Sequence, residues 1–407
     1  MKKSIHVSYA AAVYGPREIA AVLRVLKNPS RIVQGPAVKE FERKIAGLFG
    51  KKYGVMVNSG SSANLIAVES LGLPRGSEVV TPILTFSTTV APLMQKGLVP
   101  VFADVLPGAY VIDHERVEGI ITPKTKALMV PSLIGNLPDL VALKKIADRH
   151  GLAFIEDSCD TLGATFGGKP TGHYTDISTT SFYASHIITA AGGGGMACFR
   201  DPVLARRAQV MANWGRASTL FGAYEKSEEI KKRFAGRLED MTYDAKFIFN
   251  EVGYNFQPTE SQGAFGLIQL ARLGEFAAAR GRAFARLLKF FSAYERFFIL
   301  PARDPRARTN WLAFPLTIRD GAPFDRRELT LHLEKNNIQT RPIFTGNILR
   351  QPAFRHLSGK GGMAARYPVA DAVMRGGFLI GAHHGMTDRH LERIEEVAGA
   401  FLDRYRV

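Results

Sequence analysis

Short apolar runs rich in β-branched residues alternate along the chain with longer stretches whose apolar positions recur at helical spacing. Runs 53–57, 78–82, 99–103, 127–131, 153–156 and 177–183 read as strands. Between them, 61–71, 88–95 and 138–150 read as helices. Such alternation predicts a mostly parallel sheet covered by helices on both faces, with ligands beyond the carboxyl ends of its strands. Two helical patterns precede it: 16–26, which begins with proline, and 38–49, which ends at Gly50. Segment 217–246 is polar and charged with weak periodicity, and is expected to be a loop. Helices at 257–273 and 275–298 then lead to a strand at 311–318, a helix at 326–336, a strand at 376–380 and a final helix at 388–405. The expected organisation is an α/β chain. A large domain expected to bind a cofactor covers 1–256, and connecting helices with a smaller α+β domain cover 257–407. No internal repeat is visible.

Composition narrows the class. The 407 residues are 46% hydrophobic and 22% charged, as in soluble globular proteins. No apolar run has bilayer length, and the basic start Met-Lys-Lys-Ser-Ile-His lacks the apolar core of a signal peptide. Two cysteines, Cys159 and Cys198, supply no disulfide framework and no close metal-binding pair, so a reducing cytoplasm is expected. The net charge is +16, but the basic residues are scattered and no nucleic-acid reading motif accompanies them. Neither nucleic acid nor membrane is expected as a partner. The charge suits phosphorylated small molecules.

Three separated segments carry candidate chemistry. The first is Asn58-Ser-Gly60-Ser61-Ser62-Ala-Asn64, which follows a strand and opens a helix. Free amides at a helix start bind phosphate, although serine there also serves as a plain cap. The second is Glu156-Asp157-Ser-Cys-Asp160 at a strand end, where Asp157 reads as a capping carboxylate or a ligand group. The third is Ser181-Phe-Tyr-Ala-Ser-His186-Ile-Ile-Thr-Ala-Ala-Gly192-Gly-Gly-Gly195, a strand delivering a serine, a histidine and four glycines.

Together these segments resemble the sugar aminotransferase (DegT/DnrJ/EryC/StrS) family of fold-type I pyridoxal-phosphate enzymes. Gly35-Pro36, Thr85-Phe86, Leu133-Ile-Gly-Asn136 and Gly253-Tyr-Asn255 extend the likeness over nearly the whole chain. Most of that family has a lysine, bonded to the cofactor, where this chain has His186. The exchange resembles the 3-dehydratase branch, and the tail from Gly321 through Thr345-Gly-Asn347 to Pro352 is most similar to its CDP-4-keto-6-deoxyglucose members.

The resemblance implies a set of roles. Gly60, Ser61 and Ser62 would hold the cofactor phosphate, and Asp157 the pyridine nitrogen. Phe86 would stack on the ring, and Ser181 would touch the phosphate or His186. Asn255 would reach the phosphate from a neighbouring subunit, making the active unit a homodimer. An imidazole cannot hold the cofactor covalently. The cofactor would therefore act as pyridoxamine 5'-phosphate, with His186 as general base. The implied reaction is loss of the C3 hydroxyl from a nucleotide-diphosphate 4-keto-6-deoxy sugar, with L-glutamate regenerating the amine. Two alternatives are an aminotransferase working without its lysine and a catalytically idle cofactor-binding homologue.

Two departures stand out. CDP-sugar members carry a two-iron, two-sulfur cluster on four cysteines. Cys159 matches the first, but 217–244 contains no cysteine for the others. No cluster and no metal are expected, as in the GDP-4-keto-6-deoxymannose type. Gly192 also stands where relatives often carry glutamate.

Overall fold

The computed structural model describes residues 5–28, 32–221, 229–358 and 366–405. Its centre is a seven-stranded sheet: β1 (Tyr53–Val57), β2 (Glu78–Pro82), β3 (Val99–Ala103), β4 (Thr125–Pro131), β5 (Ala153–Asp157), β6 (Ile177–Ser181) and β7 (Gly195–Phe199). The spatial order is β1-β7-β6-β5-β4-β2-β3, and only β7 runs against the rest. Strands β6 and β7 are buried at every residue, as a sheet covered on both faces requires. Pro131 pairs with Asp157, and Asp157 with Thr179, so β4 and β5 end side by side and β6 runs two residues further to Ser181.

Strand β7 is absent from the periodicity, because it begins inside the glycine run. A Cβ on Gly195 would lie 2.3 Å from the Ser59 carbonyl oxygen, so only glycine lets this strand enter beside β1. The run 177–183 leaves the sheet at Ser181, whose Oγ accepts a hydrogen bond from the Tyr183 amide at 3.2 Å. The expected loop at 217–246 contains ordered pieces instead. A short helix (Ile230–Arg233) precedes a hairpin pairing Gly236–Leu238 with Met241–Tyr243. Part of that expectation, 222–228, lies outside the described residues.

A second sheet holds β8 (Phe298–Ile299), β9 (Phe314–Ile318), β10 (Thr340–Pro342) and β11 (Gly377–Ile380), in the order β8-β9-β11-β10. Phe298 belongs to this sheet and not to the preceding helix, which ends at Ser292. The N-terminal Val7 bridges Ile338 and shares a core with Phe314, Leu379 and Ile394. That core continues into Ile83, Leu84 and Leu133 of the large sheet's rim, so the two sheets pack through one apolar mass.

Helix Pro36–Leu48 starts at Gly35, which has no side chain to cap it. Glu260, from the far side of the sequence, does so. Its carboxylate accepts from the amides of Gly35 (2.8 Å), Ala37 (2.6 Å) and Val38 (3.1 Å). Charged acceptors at helix N-termini are favoured by both hydrogen bonding and the helix dipole. Glu260→Ala leaves three amides without their acceptor and should cost on the order of 2–4 kcal/mol. Urea unfolding of the variant against the parent chain measures this, and a change within error would show that the cap is replaceable.

Candidate active site

A cavity of about 260 Å³ opens where β5 and β6 end. Its floor is Asp157, only 5% exposed. One carboxylate oxygen accepts from Asn64 Nδ2 and from Thr89 Oγ1, both at 2.8 Å; the other accepts from the Cys159 amide at 3.2 Å. Thr179 donates to Asn64 Oδ1 at 2.6 Å and thereby fixes which end of that amide faces the carboxylate. Glu156, one residue earlier, points to the other face of the sheet. Ser178, Thr175 and Ser158 donate to it there. Burial raises the Glu156 carboxyl above its ordinary range, against those hydrogen bonds and the nearby Lys51.

One wall is the start of helix Gly60–Ser70. Ser59 caps it, accepting from the Ser62 amide at 3.1 Å, and the first helical amides have no partner within the helix. A Cβ on Gly60 would stand 2.6 Å from Ser181 Cβ and 2.8 Å from Cys159 Sγ. This glycine is therefore fixed by packing, and its backbone lies open to the cavity. Ser61 lines the cavity and donates to Thr88 Oγ1 at 3.0 Å. Ser62 does not line it: its hydroxyl donates to Asn58 Oδ1 at 2.7 Å and holds the turn from inside.

The facing wall is the turn after β6. His186 is partly exposed, and its amide donates to the Tyr183 carbonyl at 3.0 Å. The Tyr183 ring meets the imidazole edge-on at 5.8 Å. Loss of hydration pushes the His186 imidazole down from 6.5 to about 4. A hydrogen bond to the Ser181 backbone carbonyl, which favours the charged ring, opposes that, Arg280 adds to it, and Asp157 opposes it. His186 Nδ1 is buried without a hydrogen-bond partner. Asp160 also lines the cavity. Burial lifts its carboxyl from 3.8 to about 7, against a hydrogen bond from the Ile134 amide.

Phe86 stands at the mouth, 50% exposed, with its ring against Phe344 at 5.9 Å. An aromatic ring left half in water at a cavity rim is available to cover a flat ligand. Of the candidate residues, the structure therefore gathers Gly60, Ser61, Phe86, Asp157, Ser181 and His186 around one space. Asn255 is not among the lining residues; it is exposed on a segment bridged to Asn213. Gly192 has open space around its Cβ position and a φ of +93°, with its amide donating to Thr189 Oγ1 at 3.1 Å.

Sequence reasoning missed Asn64, Thr89, Asp160, Tyr183 and Phe344. Asp160 and Tyr183 sit inside the quoted motifs, three residues from Asp157 and two from Ser181. Phe344 gave no local signal, since its relation to Phe86 is purely tertiary. Cys159 lines the cavity, whereas Cys198 lies buried in β7 opposite Gly54 and Ser178. Among the described residues no group of three potential ligands is placed to hold a metal ion. Two thiols in the whole chain cannot supply the four that a two-iron, two-sulfur cluster needs.

Comparison with known proteins finds relatives along most of the chain. A 3-dehydratase of Saccharopolyspora spinosa acting on dTDP-4-dehydro-2,6-dideoxy-D-glucose is 36% identical over 91% of this chain and 81% of its own length. The lipopolysaccharide biosynthesis protein RfbH of Salmonella typhimurium is 35% identical over 87% of this chain and 82% of its own. The structure of Escherichia coli GDP-4-keto-6-deoxy-D-mannose-3-dehydratase with hydrated pyridoxal phosphate superposes with a TM-score of 0.85 at 27% identity. It covers 97% of this chain and all of that one. The expected fold-type I architecture is thus the observed one. Residues 14–398 match the DegT/DnrJ/EryC1/StrS aminotransferase family along almost the entire chain, and the protein belongs to that family.

Proposed function

We propose that the protein is a pyridoxal/pyridoxamine-phosphate-dependent 3-dehydratase of a nucleotide-linked 4-keto-6-deoxyhexose, working without an iron–sulfur cluster. One observation carries the reading. The cavity that holds Asp157 is also lined by the imidazole of His186, and among the described residues no lysine lines it.

The residues fit the cofactor. Gly60 and Ser61 offer free amides and a hydroxyl for its phosphate at a helix start. Asp157 offers a carboxylate already oriented by Asn64 and Thr89, suited to a protonated pyridine nitrogen. Phe86 would cover the ring, and Ser181 lies beside the Gly60 cradle. When bound, the pyridoxamine form supplies a primary amine for the C4 ketone and an electron-accepting ring. His186 then does what a base must do. With its imidazole held near 4, it is neutral throughout the neutral range and able to accept a proton. Asp160, held near 7, keeps its proton below that pH and so adds little negative charge to the cavity.

Relatives named for dTDP- and GDP-linked sugars support a nucleotide sugar as substrate. L-Glutamate as amino donor finds support in a GDP-4-keto-6-deoxymannose-3-dehydratase structure with a trapped pyridoxal-phosphate–glutamate adduct; that chain is 26% identical. The test of the reading is mass spectrometry of products from pyridoxamine phosphate, glutamate and the CDP-, GDP- and dTDP-4-keto-6-deoxyhexoses in turn. A C3-deoxygenated product with ammonia released supports it. A product carrying a new amino group identifies a transaminase instead.

His186→Asn should bind the cofactor about as tightly as the parent and lower kcat by about 10²–10⁴-fold, the usual worth of a positioned base. Turnover at the parental rate would remove His186 from the chemistry. In the parent enzyme the acid limb of the kcat/KM profile should fall near 4 and not near 6.5, because the base is lost only when its imidazole becomes charged. A pH–rate series on the parent enzyme measures this.

The homodimer is also proposed. Asn255 is exposed and flanked by Val252, 94% exposed, and by the exposed rings of Phe247 and Phe249. An apolar rim of this kind is what a second copy would cover. A mixture of His186→Asn and Asn255→Ala chains should regain activity that neither has alone, since hybrid dimers contain one complete site. Failure to regain it, with monomers in sedimentation, would place Asn255 outside the chemistry.

A further inference from the structure

Helix Leu273–Ser292 carries a guanidinium that the chemistry above does not use. Arg280 is 0% exposed and has no ion-pair partner among the described residues. A buried charge without a counter-ion is costly, so its hydrogen bonds must account for its presence. One arm, Nη2, donates to the His186 carbonyl oxygen at 3.2 Å. The other, Nη1, donates to the carbonyls of Trp311 at 3.1 Å and Leu312 at 3.0 Å, just ahead of β9. Three carbonyls from two distant segments converge on one planar fork.

We infer that Arg280 is a positioning residue for His186, holding the histidine turn against the 311–312 segment and disfavouring a second positive charge on the imidazole. This rests on the reading of His186 as the base. The turn is already closed on itself: the Ala190 amide and Thr189 Oγ1 both donate to the Phe182 carbonyl, each at 3.1 Å. Those bonds set the shape of the turn but not its place. Arg280 ties it to the second sheet's side of the cavity.

The electrostatic part has a defined sign. A fixed positive charge beside the imidazole opposes imidazolium and favours the neutral base. Burial is the larger cause of the lowered His186 titration, Arg280 adds to it and Asp157 opposes it. Tyr183 faces the ring edge-on, and Cys159 and Asp160 line the same cavity. Arg280 itself, pushed down by burial to about 10, stays charged across the neutral range. Lysine would preserve that charge but not the fork, because an ammonium cannot reach three carbonyls in one plane.

The experiment uses the full-length holoenzyme with isotope-labelled histidine, following the His186 ring by NMR against pH, alongside kcat and KM. The His186→Asn spectrum assigns the signal. In Arg280→Met the His186 titration should move up, toward 6.5. In Arg280→Lys it should stay low while kcat falls about tenfold and KM for the sugar nucleotide stays within about twofold. An unmoved titration in Arg280→Met, or parental kcat in Arg280→Lys, overturns the inference. If Arg280→Met does not fold, the kcat-against-KM split in Arg280→Lys decides. The titration needs no turnover, so a parent chain that fails to dehydrate any sugar would sink the functional reading while this result still stands or falls by itself.

Discussion

The cavity depends on how closely three backbone segments approach one another. Gly60 presses against Ser181 and Cys159, and Gly195 passes within Cβ range of the Ser59 carbonyl. A side chain at either position would push apart the helix start, the end of β6 and the entry of β7. Close packing transmits such a displacement directly, since interiors have almost no spare volume. The Gly60 cradle and the histidine turn are mounted on two of these segments, and Cys159, which meets Gly60, lies two residues past Asp157. Their mutual geometry is therefore set by two hydrogen atoms where other residues carry a carbon.

A second constraint is the alternation along β5. Glu156 and Asp157 are adjacent carboxylates that face opposite sides of the sheet. Glu156 takes hydroxyls from Ser178, Thr175 and Ser158, and Lys51 donates to the Thr175 carbonyl nearby. Asp157 takes an amide side chain, a hydroxyl and a backbone amide, yet still lines the cavity. One carboxylate anchors the strand and the other lines the cavity. Satisfying the first helps hold the second at the strand end, on the cavity floor, without the strand end fraying.

Much of this was legible in the chain. The βα alternation gave the sheet, because apolar runs of five residues separated by helical periods have few other solutions. Gly60, Asp157 and His186 were legible because their motifs lie at strand ends, where such sheets place ligands. Strand β7 was not, since its first residue is a glycine chosen for clearance and not for strand propensity. The hairpin within 217–246 was not, because its faces are exposed and carry no burial pattern. Phe344 and Arg280 were invisible for a third reason: each matters through contacts with residues far away in sequence, and nothing local marks them. Ser62 sits in the first turn of the helix, but its hydroxyl braces the turn and does not line the cavity.

Strand β1 lies at the edge of the sheet, and its one neighbour is β7, which pairs Phe199 with Tyr53. The cap on helix Pro36–Leu48 comes from a residue 225 positions away from Gly35. During synthesis, then, the first strand and the helix before it emerge from the ribosome long before anything can complete them. An apolar strand waiting with an unpaired edge is a template for pairing with other chains. The beginning of the chain therefore closes late, only after β7 and Glu260 have been made.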